Sequence, residues 1–319
     1  MPPIRNPGPT LNTSQPPSPP RPGPTLLPLA LLFLIGALWG GFFVLIKIGV
    51  TGGVRPASYL FWFTLMAGTW LYIAATLRRR RPHFARSHIL YYLRLGLVRF
   101  TFANLILYTV QGRLPVGLMA VIMAFTPIFT HGISLAVRIE RFYLLRSFGI
   151  LLGFGAVLLI LVPRSSLPDP ELAAWVLLGF GAPLLHAIAY VALSEKSRPR
   201  GVDSMTLSSG TLFAASFLAL PVAVAMGDFQ WLSWPFSKGE IALICHSLIA
   251  AVNFYAIFEL IRIAGPTYMS QANFLSVGFG VLFGILFFGE RHSAYVWAAM
   301  GLMLAGVALV NMRRDKGRG

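Results

Sequence analysis

Ten long apolar segments, separated by short polar loops, limit the folds open to this 319-residue chain. A run of about 20 apolar residues crosses the hydrocarbon core of a bilayer as an α-helix. The predicted spans cover residues 26–49, 56–77, 88–111, 115–137, 145–163, 172–194, 204–226, 240–262, 266–288 and 293–312. Because 56% of the residues are hydrophobic and only 11% are charged, about half the usual charged share, one large soluble core is excluded. The expected fold class is an all-α membrane protein.

The two ends of the chain differ from the apolar segments between them. Residues 1–25 are rich in Pro and Ser and hold too few apolar side chains to bury a core, so we expect a disordered tail. This segment does not have the form of a signal peptide, in which a basic stretch leads directly into a short apolar one. Residues 313–319 form a short basic tail.

A motif at the end of one apolar segment recurs about 150 residues later. Glu140-Arg141 closes the fourth segment, and Gly289-Glu290-Arg291 closes the ninth. The segments that follow match as well, because Gly149 and Ala156 fall opposite Ala299 and Gly306. The repeat predicts two related five-helix halves, residues 26–163 and 172–312. Membrane proteins built from two such halves are most often transporters.

Two short breaks in the apolar pattern predict helical hairpins at matching places in the halves. Gly112-Arg113-Leu114-Pro115 separates the third and fourth spans, and Ile263-Ala264-Gly265-Pro266 separates the eighth and ninth. Glycines four residues apart, as at Gly36 and Gly40, also recur in several spans. Small residues at that spacing let helices pack closely in lipid, and we expect packing rather than a hinge there.

The distribution of Lys and Arg predicts the orientation of the spans. With a cytoplasmic N-terminus, eighteen basic residues lie on the inner side and five lie on the outer side. The five outer residues are Arg55, Arg113, Arg164, Lys238 and Arg291. Basic residues accumulate in cytoplasmic loops, so both termini are expected in the cytoplasm. Because each half has an odd number of spans, the two halves are then inverted repeats, an arrangement that gives two states open to opposite sides.

The net charge of +16 would favour nucleic-acid binding in a soluble protein. Here the basic side chains lie in loops between apolar runs, so topology accounts for them and no nucleic-acid partner is expected. The sequence has no phosphate-binding glycine loop with its lysine, no HExxH and no cluster of metal ligands. The single cysteine, Cys245, lies in an apolar run and forms no intramolecular disulfide. We therefore expect no cofactor, no metal and no enzymatic activity.

Several of these motifs together resemble the EamA family of the drug/metabolite transporter superfamily. The matching residues are Ala37-Leu38-Trp39-Gly40 with Ile46-Lys47 in the first helix, Pro115-Val116-Gly117-Leu118 with Thr126-Pro127-Ile128-Phe129 in the fourth, and Gly265-Pro266 through Gly289-Glu290-Arg291 to Gly306 in the second copy. The resemblance covers residues 26–312. Two positions depart from the family pattern: Ile139 replaces a Gly, and Val277 replaces a Pro. The helix that carries Val277 is therefore expected to be straighter than its counterpart.

The resemblance implies a multi-pass secondary carrier of the inner membrane that moves small metabolites, often amino acids and often outward. It also implies a central cavity lined by the first, third, fourth, sixth, eighth and ninth helices. Polar residues on these helices are the substrate-binding candidates, because polar groups in lipid are costly and are functional or paired inside the bundle. The candidates are Trp39, Arg99, Asn104, Tyr108, His186, Tyr190, Asn253 and Asn273.

Spacing refines these candidates. Asn104, Tyr108 and Gln111 fall at i, i+4 and i+7 on one face of the third helix, whereas Arg99 falls on a different part of the wheel. A cavity-facing Arg would suit a carboxylate, since its fork matches two oxygens; a pairing between helices is the alternative. For Asn273, contact with a neighbouring helix is the alternative to contact with substrate.

Two residues are candidates for proton coupling. His131 could titrate near neutral pH, and a neutral hydrogen-bonded histidine is the alternative. Glu259 could hold a proton, and an ion pair with Arg262 three residues later is the alternative. Glu140 and Glu290 are interpreted as turns with a local ion pair, because the predicted topology places them on opposite sides of the membrane. Lys47 is expected to reach toward the outer surface.

The resulting hypothesis is a ten-helix carrier that exports an amino acid or an amino-acid-like compound by alternating access. Its partners would be a small-molecule substrate and the lipid bilayer, and it would act as a monomer or homodimer. An importer or exchanger of a vitamin or nucleoside-like compound is one alternative, favoured by aromatic residues near the cavity such as Trp39. A non-transporting sensor or assembly protein is the alternative from another class. Alternating access is reversible, so residue types do not distinguish export from import.

Overall fold

The computed structural model describes residues 26–78, 86–138, 144–161, 169, 171–192, 204–269 and 272–311, and these residues form helices and turns without a strand. The elements in chain order are α1 (Leu26–Thr51), α2 (Pro56–Leu77), α3 (Arg86–Leu95), a π-helical segment (Gly96–Phe102), α4 (Ala103–Gln111), α5 (Val116–Met123), α6 (Thr126–Ala136), α7 (Leu144–Leu161), α8 (Leu172–Gly179), α9 (Gly181–Ala192), α10 (Ser204–Ala225), α11 (Lys238–Met269), α12 (Ala272–Phe288) and α13 (Ala294–Asn311). The predicted tails, residues 1–25 and 313–319, lie outside the described part of the chain, as does Glu140-Arg141.

Length and composition identify the elements that can cross a membrane. Among the described residues, seven continuous or nearly continuous helices are long and apolar enough. These are Leu26–Thr51, Pro56–Leu77, His88–Gln111, Val116–Ala136, Leu172–Val191, Met205–Ala225 and Lys238–Ala264. Three shorter apolar helices, Ser147–Leu159, Ala272–Phe288 and Ala294–Leu309, lie where the remaining spans are predicted. The all-helical fold class is confirmed.

The two predicted hairpin turns have different outcomes. The first prediction is confirmed, because α4 ends at Gln111 and α5 begins at Val116. The second is wrong, because α11 continues through residues 263–266 and ends at Met269. A proline inside a helix removes one hydrogen bond, and apolar surroundings favour helical backbone on both sides of it because unpaired backbone groups are costly there. Residues 270–271, between α11 and α12, lie outside the described residues.

A proline divides the fourth span into α5 and α6. Pro127 has no N–H to donate to the carbonyl of Met123, four residues earlier. The hydroxyl of Thr126 donates to that carbonyl instead, at 2.7 Å, and the helix breaks at residues 124–125. The corresponding helix α12 has Val277 and runs unbroken from Ala272 to Phe288. The expectation that α12 is the straighter helix is confirmed.

Small residues allow close contact between helices from the two ends of the chain. A Cβ atom at Gly40 in α1 would lie 2.8 Å from the backbone nitrogen of Gly280 in α12. A Cβ atom at Gly306 in α13 would lie 2.7 Å from the carbonyl oxygen of Gly149 in α7. Neither site leaves room for a larger side chain unless the helices separate. The packing role predicted for these glycines therefore holds.

One end of the bundle is defined by contacts among several turns, and we call it the hairpin end. It holds the 112–115 turn, the 226–237 loop and the 289–293 segment. The side-chain amide of Gln230 donates to the carbonyl of Gly53 at 3.1 Å, and the indole N–H of Trp62 donates to the carbonyl of Gln230 at 3.0 Å. Trp231 and Trp234 extend from the same loop with 74% and 84% of their surface exposed. Aromatic side chains in such positions are typical of a membrane interface.

Candidate functional site

A cavity of about 680 Å³ lies among helices from both parts of the chain. This volume is typical of a site for a small organic molecule. The lining side chains come from α1, α2, the third span, the fourth span, α9, α11 and α12. All eight substrate-binding candidates are among them, namely Trp39, Arg99, Asn104, Tyr108, His186, Tyr190, Asn253 and Asn273. Contact of these residues with a substrate stays a prediction.

The π-helical segment in the third span places Arg99 in the cavity. In a regular α-helix, Arg99 and Asn104 would lie about 140° apart around the axis. Between Gly96 and Phe102 the turn is wider, and a π-helix, with its i→i+5 hydrogen bonds, brings residues five apart closer together around the axis. The hydroxyl of Thr101 donates to the carbonyl of Gly96, five residues earlier, at 3.1 Å. Arg99 and Asn104 therefore share one face, and the prediction that Arg99 lies on a different part of the wheel is wrong.

Two aromatic rings hold the Arg99 side chain. Its guanidinium carbon lies 5.0 Å from the ring centre of Tyr190 in α9 and 5.3 Å from the ring centre of Phe100. One guanidinium nitrogen also donates to the Tyr190 hydroxyl at 3.3 Å. Within the described residues, no Asp or Glu side chain lines the cavity. The arrangement leaves most of the guanidinium fork available to a carboxylate.

The fourth span contributes polar groups where the proline breaks it. Met123, Thr126 and Pro127 line the cavity at the break, and Thr130 and His131 line it farther along α6. The hydroxyls of Thr126 and Thr130 donate to backbone carbonyls within the span, each at 2.7 Å. Their own oxygens remain able to accept a hydrogen bond. His131 is 4% exposed, and its proton-coupling role stays a prediction.

Helix α11 contributes His246 and Asn253, seven residues apart on one face. His246 stacks on Phe63 with ring centres 4.2 Å apart, and its Nδ1 lies 3.0 Å from the hydroxyl of Tyr59. Asn253 is 5% exposed. Its side-chain oxygen is buried without a hydrogen-bond partner among the described residues. An unpartnered acceptor at a cavity wall is suited to a donor group on a ligand.

Helices α1, α9 and α12 complete the wall. In α9, Nδ1 of His186 donates to the carbonyl of Ala182 at 2.9 Å, which leaves Nε2 as the acceptor in the neutral ring. In α12, Asn273 and Ser276 line the cavity, and in α1 Trp39 does so. Gln111, predicted on the same face as Asn104, is fully buried and lies outside the lining.

At the hairpin end, a polar cluster joins three segments. Lys47 donates to the carbonyl of Leu114 at 2.7 Å, so its ammonium ends in the 112–115 turn, which the predicted topology places on the outer side. Its reach toward the outer surface stays a prediction. The carboxylate of Glu290 accepts hydrogen bonds from the backbone N–H groups of Val116 and Gly117 at the start of α5. This is a helix N-terminus, where a negative charge is stabilised.

Glu290 therefore has a different partner from the one predicted. Its carboxylate lies 3.4 Å from Nε2 of His292 and forms no ion pair with the adjacent Arg291 among the contacts of the described residues. The side chains of Glu290 and His292 are 9% and 4% exposed. Burial raises the pKa of the Glu290 carboxyl, but the hydrogen bonds from His292, Gly117 and Val116 outweigh burial and hold it below its usual range. The carboxylate is thus a charged anchor for the start of α5.

Glu259 lies outside the cavity. Both of its carboxylate oxygens accept hydrogen bonds from the guanidinium of Arg262, one of them at 3.0 Å. This geometry favours the local ion pair over the proton-coupling role. No group of three or more His, Cys, Asp or Glu that could hold a metal occurs in the described part of the chain.

Sequence reasoning missed the aromatic wall that α1 presents. Trp39, Phe42, Phe43 and Ile46 all line the cavity. Their spacing of i, i+3, i+4 and i+7 marks one face of a helix, but the whole of α1 is apolar and the pattern did not stand out. The motif Ile46-Lys47 could have revealed this wall, because Ile46 is the last residue of that face and Lys47 follows it.

Comparisons with known proteins identify relatives along nearly the whole chain. The model of the EamA-like transporter family matches residues 26–162 and 173–312. Proteins called "Uncharacterized inner membrane transporter YedA", from Escherichia coli K12 and from Escherichia coli O157:H7, are each 26% identical over 300 residues, covering 90% of this chain and 92% of the relative. A solved crystal structure has a TM-score of 0.58 at 15% identity and covers 90% of this chain and 96% of the other. That last likeness shows the fold.

Proposed function

The chain belongs to the EamA-like transporter family, and on this premise we propose that it exports a small metabolite, an amino acid or an amino-acid-like compound, by alternating access. It is a multi-pass transporter of the inner membrane and not an enzyme. The direction, the substrate and the access mechanism are the proposed part. The chain would act on its substrate as a monomer or homodimer.

The proposed architecture is ten spans in two inverted halves, with both termini in the cytoplasm. Two family segments in one chain support the repeat. The close packing of α7 on α13, at Gly149 and Gly306, supports it too, because these helices occupy equivalent places in the halves. The described basic side chains at the hairpin end are few, namely Lys47, Arg55, Arg113, Lys238 and Arg291. This scarcity supports an outward-facing hairpin end.

The observation that carries the proposal is a cavity between the two family segments whose two ends differ in the contacts around them. At the hairpin end, the Lys47 and Glu290 contacts tie together the segments next to the cavity, which supports closure on that side. Toward the opposite end, its lining reaches Tyr190 near the last residue of α9 and Asn273 near the first residue of α12. A carrier held closed at one side and accessible from the other is one of the two states that alternating access requires.

The lining side chains suit the two polar groups of an amino acid. Arg99 offers a fork to a carboxylate, and the unpartnered oxygen of Asn253 offers an acceptor to an amino group. A second candidate, an aromatic vitamin or nucleoside-like compound, is favoured by the rings of Trp39, Tyr108 and Phe254 on the cavity wall. Aromatic faces bind flat rings by stacking.

Counterflow in liposomes tests the proposal. Purified protein is reconstituted into vesicles that hold a pool of unlabelled amino acids, vitamins and nucleosides, and uptake of each labelled compound is then measured. A carrier accumulates its own substrate transiently, and amino acids are expected to do so. If no compound accumulates, the carrier proposal fails.

Variants of the third span then test the carboxylate contact. Arg99→Ala should abolish counterflow of an amino acid, whereas Arg99→Lys should retain part of it. Arg94→Ala is the matched control, because Arg94 is exposed on the same span and does not line the cavity. Equal affinity in the Arg99→Ala variant and the unmodified protein would contradict the proposed contact.

A further inference from the structure

The cavity contains one fixed charge. Among the described lining residues, Arg99 is the only Arg, Lys, Asp or Glu. Three acidic side chains that might have balanced it are engaged elsewhere. Glu240 accepts from the backbone N–H groups of Ser233 and Ser237, Glu259 pairs with Arg262, and Glu290 anchors the start of α5.

The contacts of Arg99 do not cancel this charge. A guanidinium has five N–H donors, and its one hydrogen-bond acceptor among the described residues is the neutral hydroxyl of Tyr190. The rings of Tyr190 and Phe100 stabilise a cation only weakly compared with a carboxylate. Within the part of the chain that the structure describes, the wall of the cavity therefore carries one uncompensated positive charge.

This charge has a consequence for the step in which the carrier changes state. Between its two open states an alternating-access carrier closes at both ends, and the site loses most of its contact with bulk water. An unpaired charge is costly in such surroundings, whereas a charge paired with a well-placed anion is much less so. A bound monoanion makes the closed cavity neutral, while a zwitterion brings an ammonium and leaves the net charge of the cavity positive.

We propose that the carrier exchanges one carboxylate monoanion with an apolar or aromatic body for another, and that its empty form returns slowly because Arg99 then lacks a counter-ion. This inference rests on the proposed carrier function and replaces one-way export with exchange. The substrate body is set by the wall, because Trp39, Phe43 and Phe254 line the same cavity as Arg99. No covalent step and no proton transfer are involved.

Two probes that differ at one carbon test the inference. 3-Phenyllactate is a monoanion with a hydroxyl where phenylalanine carries an ammonium. Liposomes with reconstituted protein are loaded with either labelled compound and diluted into buffer with or without the same unlabelled compound. Liposomes without protein supply the passive leak.

The expected result is a large stimulation of phenyllactate efflux by external phenyllactate. The stimulation should reach about tenfold or more, which corresponds to about 1.4 kcal/mol in the return step. Phenylalanine should also be exchanged, but more slowly and with a smaller stimulation than phenyllactate. Phenyllactate efflux that is equally fast into plain buffer would overturn exchange and leave the carrier proposal intact. Transport of phenylalanine alone would overturn the monoanion class and support the amino-acid carrier.

Variants at one position separate charge from shape. Arg99→Lys keeps the charge and should keep the ratio of stimulated to unstimulated efflux, whereas Arg99→Gln should bring that ratio close to one. Arg94→Gln on the same span should behave as the unmodified protein. If Arg99→Gln does not fold, as judged by size-exclusion chromatography, the ratio in the unmodified protein still decides. If neither probe moves while other compounds show counterflow, the aromatic monoanion class is overturned; if nothing moves in either assay, the carrier proposal fails with it.

Discussion

Replacement of Glu290 should destabilise the transporter far more than replacement of an exposed glutamate. The Glu290 side chain is buried, with 9% of its surface exposed. It accepts hydrogen bonds from two consecutive backbone N–H groups, of which the one from Gly117 is 2.9 Å long. These donors belong to the first turn of α5, where no intrahelical acceptor exists for them. Glu290 comes from the segment after α12, so it joins two distant parts of the chain.

The magnitude follows from the bonds that each substitution removes. A hydrogen bond to a charged group contributes about 1.5–3 kcal/mol. Glu290→Gln keeps one acceptor oxygen and places an amide N–H₂ against a donor, so it should cost about one such bond, 1.5–3 kcal/mol. Glu290→Ala leaves both N–H groups buried without an acceptor and should cost about 3–5 kcal/mol, the range found when one partner of a buried charge pair is removed.

Thermal unfolding in detergent measures the effect. At about 2 °C per kcal/mol for a chain of this size, Glu290→Gln should lower the apparent Tm by about 3–6 °C. Glu259→Gln is the control, since that carboxylate forms an exposed pair with Arg262, and its Tm should match the unmodified protein. Equal Tm values for the two Gln variants would refute the anchoring role of Glu290.

The pH dependence supplies a second readout of the same contact. Because the pKa of Glu290 is held below its usual range in the folded protein, its ionised form stabilises the fold above the usual glutamate pKa of about 4.3. That stability is lost as the pH falls through the lowered value. The Tm difference between the unmodified protein and Glu290→Gln should therefore shrink below pH about 4. A constant difference would mean that the charge of Glu290 has no part in its effect.

Three further predictions address packing, closure and the π-helical turn. Gly306→Leu should abolish the folded yield, because its side chain would meet the Gly149 carbonyl, whereas Gly301→Leu, with nothing within 4 Å, should fold normally. Lys47→Met should loosen the hairpin end and raise labelling of a cysteine placed in the cavity by an impermeant maleimide added outside; unchanged labelling would contradict a closing role. Deletion of the exposed Phe102 should convert the π turn into an α turn and preserve folding, whereas deletion of Leu105 in regular helix should not; equal damage would contradict the extra-residue interpretation.

Hydrophobic pattern and motif spacing were sufficient to predict the membrane fold. Apolar runs have a length set by the bilayer, so helix positions follow from composition alone. The helix break at Pro127 could also be predicted from the sequence. Proline has no N–H to donate to the carbonyl four residues earlier, and the neighbouring Thr126 hydroxyl donates to that carbonyl instead. The 263–266 turn was mispredicted for the same local reason. Gly265-Pro266 disfavours a helix by propensity, but surroundings without water favour continued hydrogen bonding.

Contacts between distant segments were not accessible from the sequence. Glu290 was expected to pair with the adjacent Arg291, because only neighbours in the chain can be paired from a linear pattern. The structure instead brings it to Val116 and Gly117, more than 170 residues away. Lys47 likewise ends on the carbonyl of Leu114, 67 residues away. Such pairings depend on how the helices pack, and periodicity within one helix carries no information about that.

The position of Arg99 shows how one irregular turn can decide which side chain defines a site. A helical wheel with a fixed period places Arg99 away from Asn104 and Tyr108, and it would then face a neighbouring helix. The π turn from Gly96 to Phe102 adds one residue to a single turn and rotates everything before it. Among the lining residues that the structure describes, the one charged side chain faces the cavity because of that wider turn. A sequence lacking the extra residue would keep the same fold and the same polar face, yet would orient a different side chain toward the substrate.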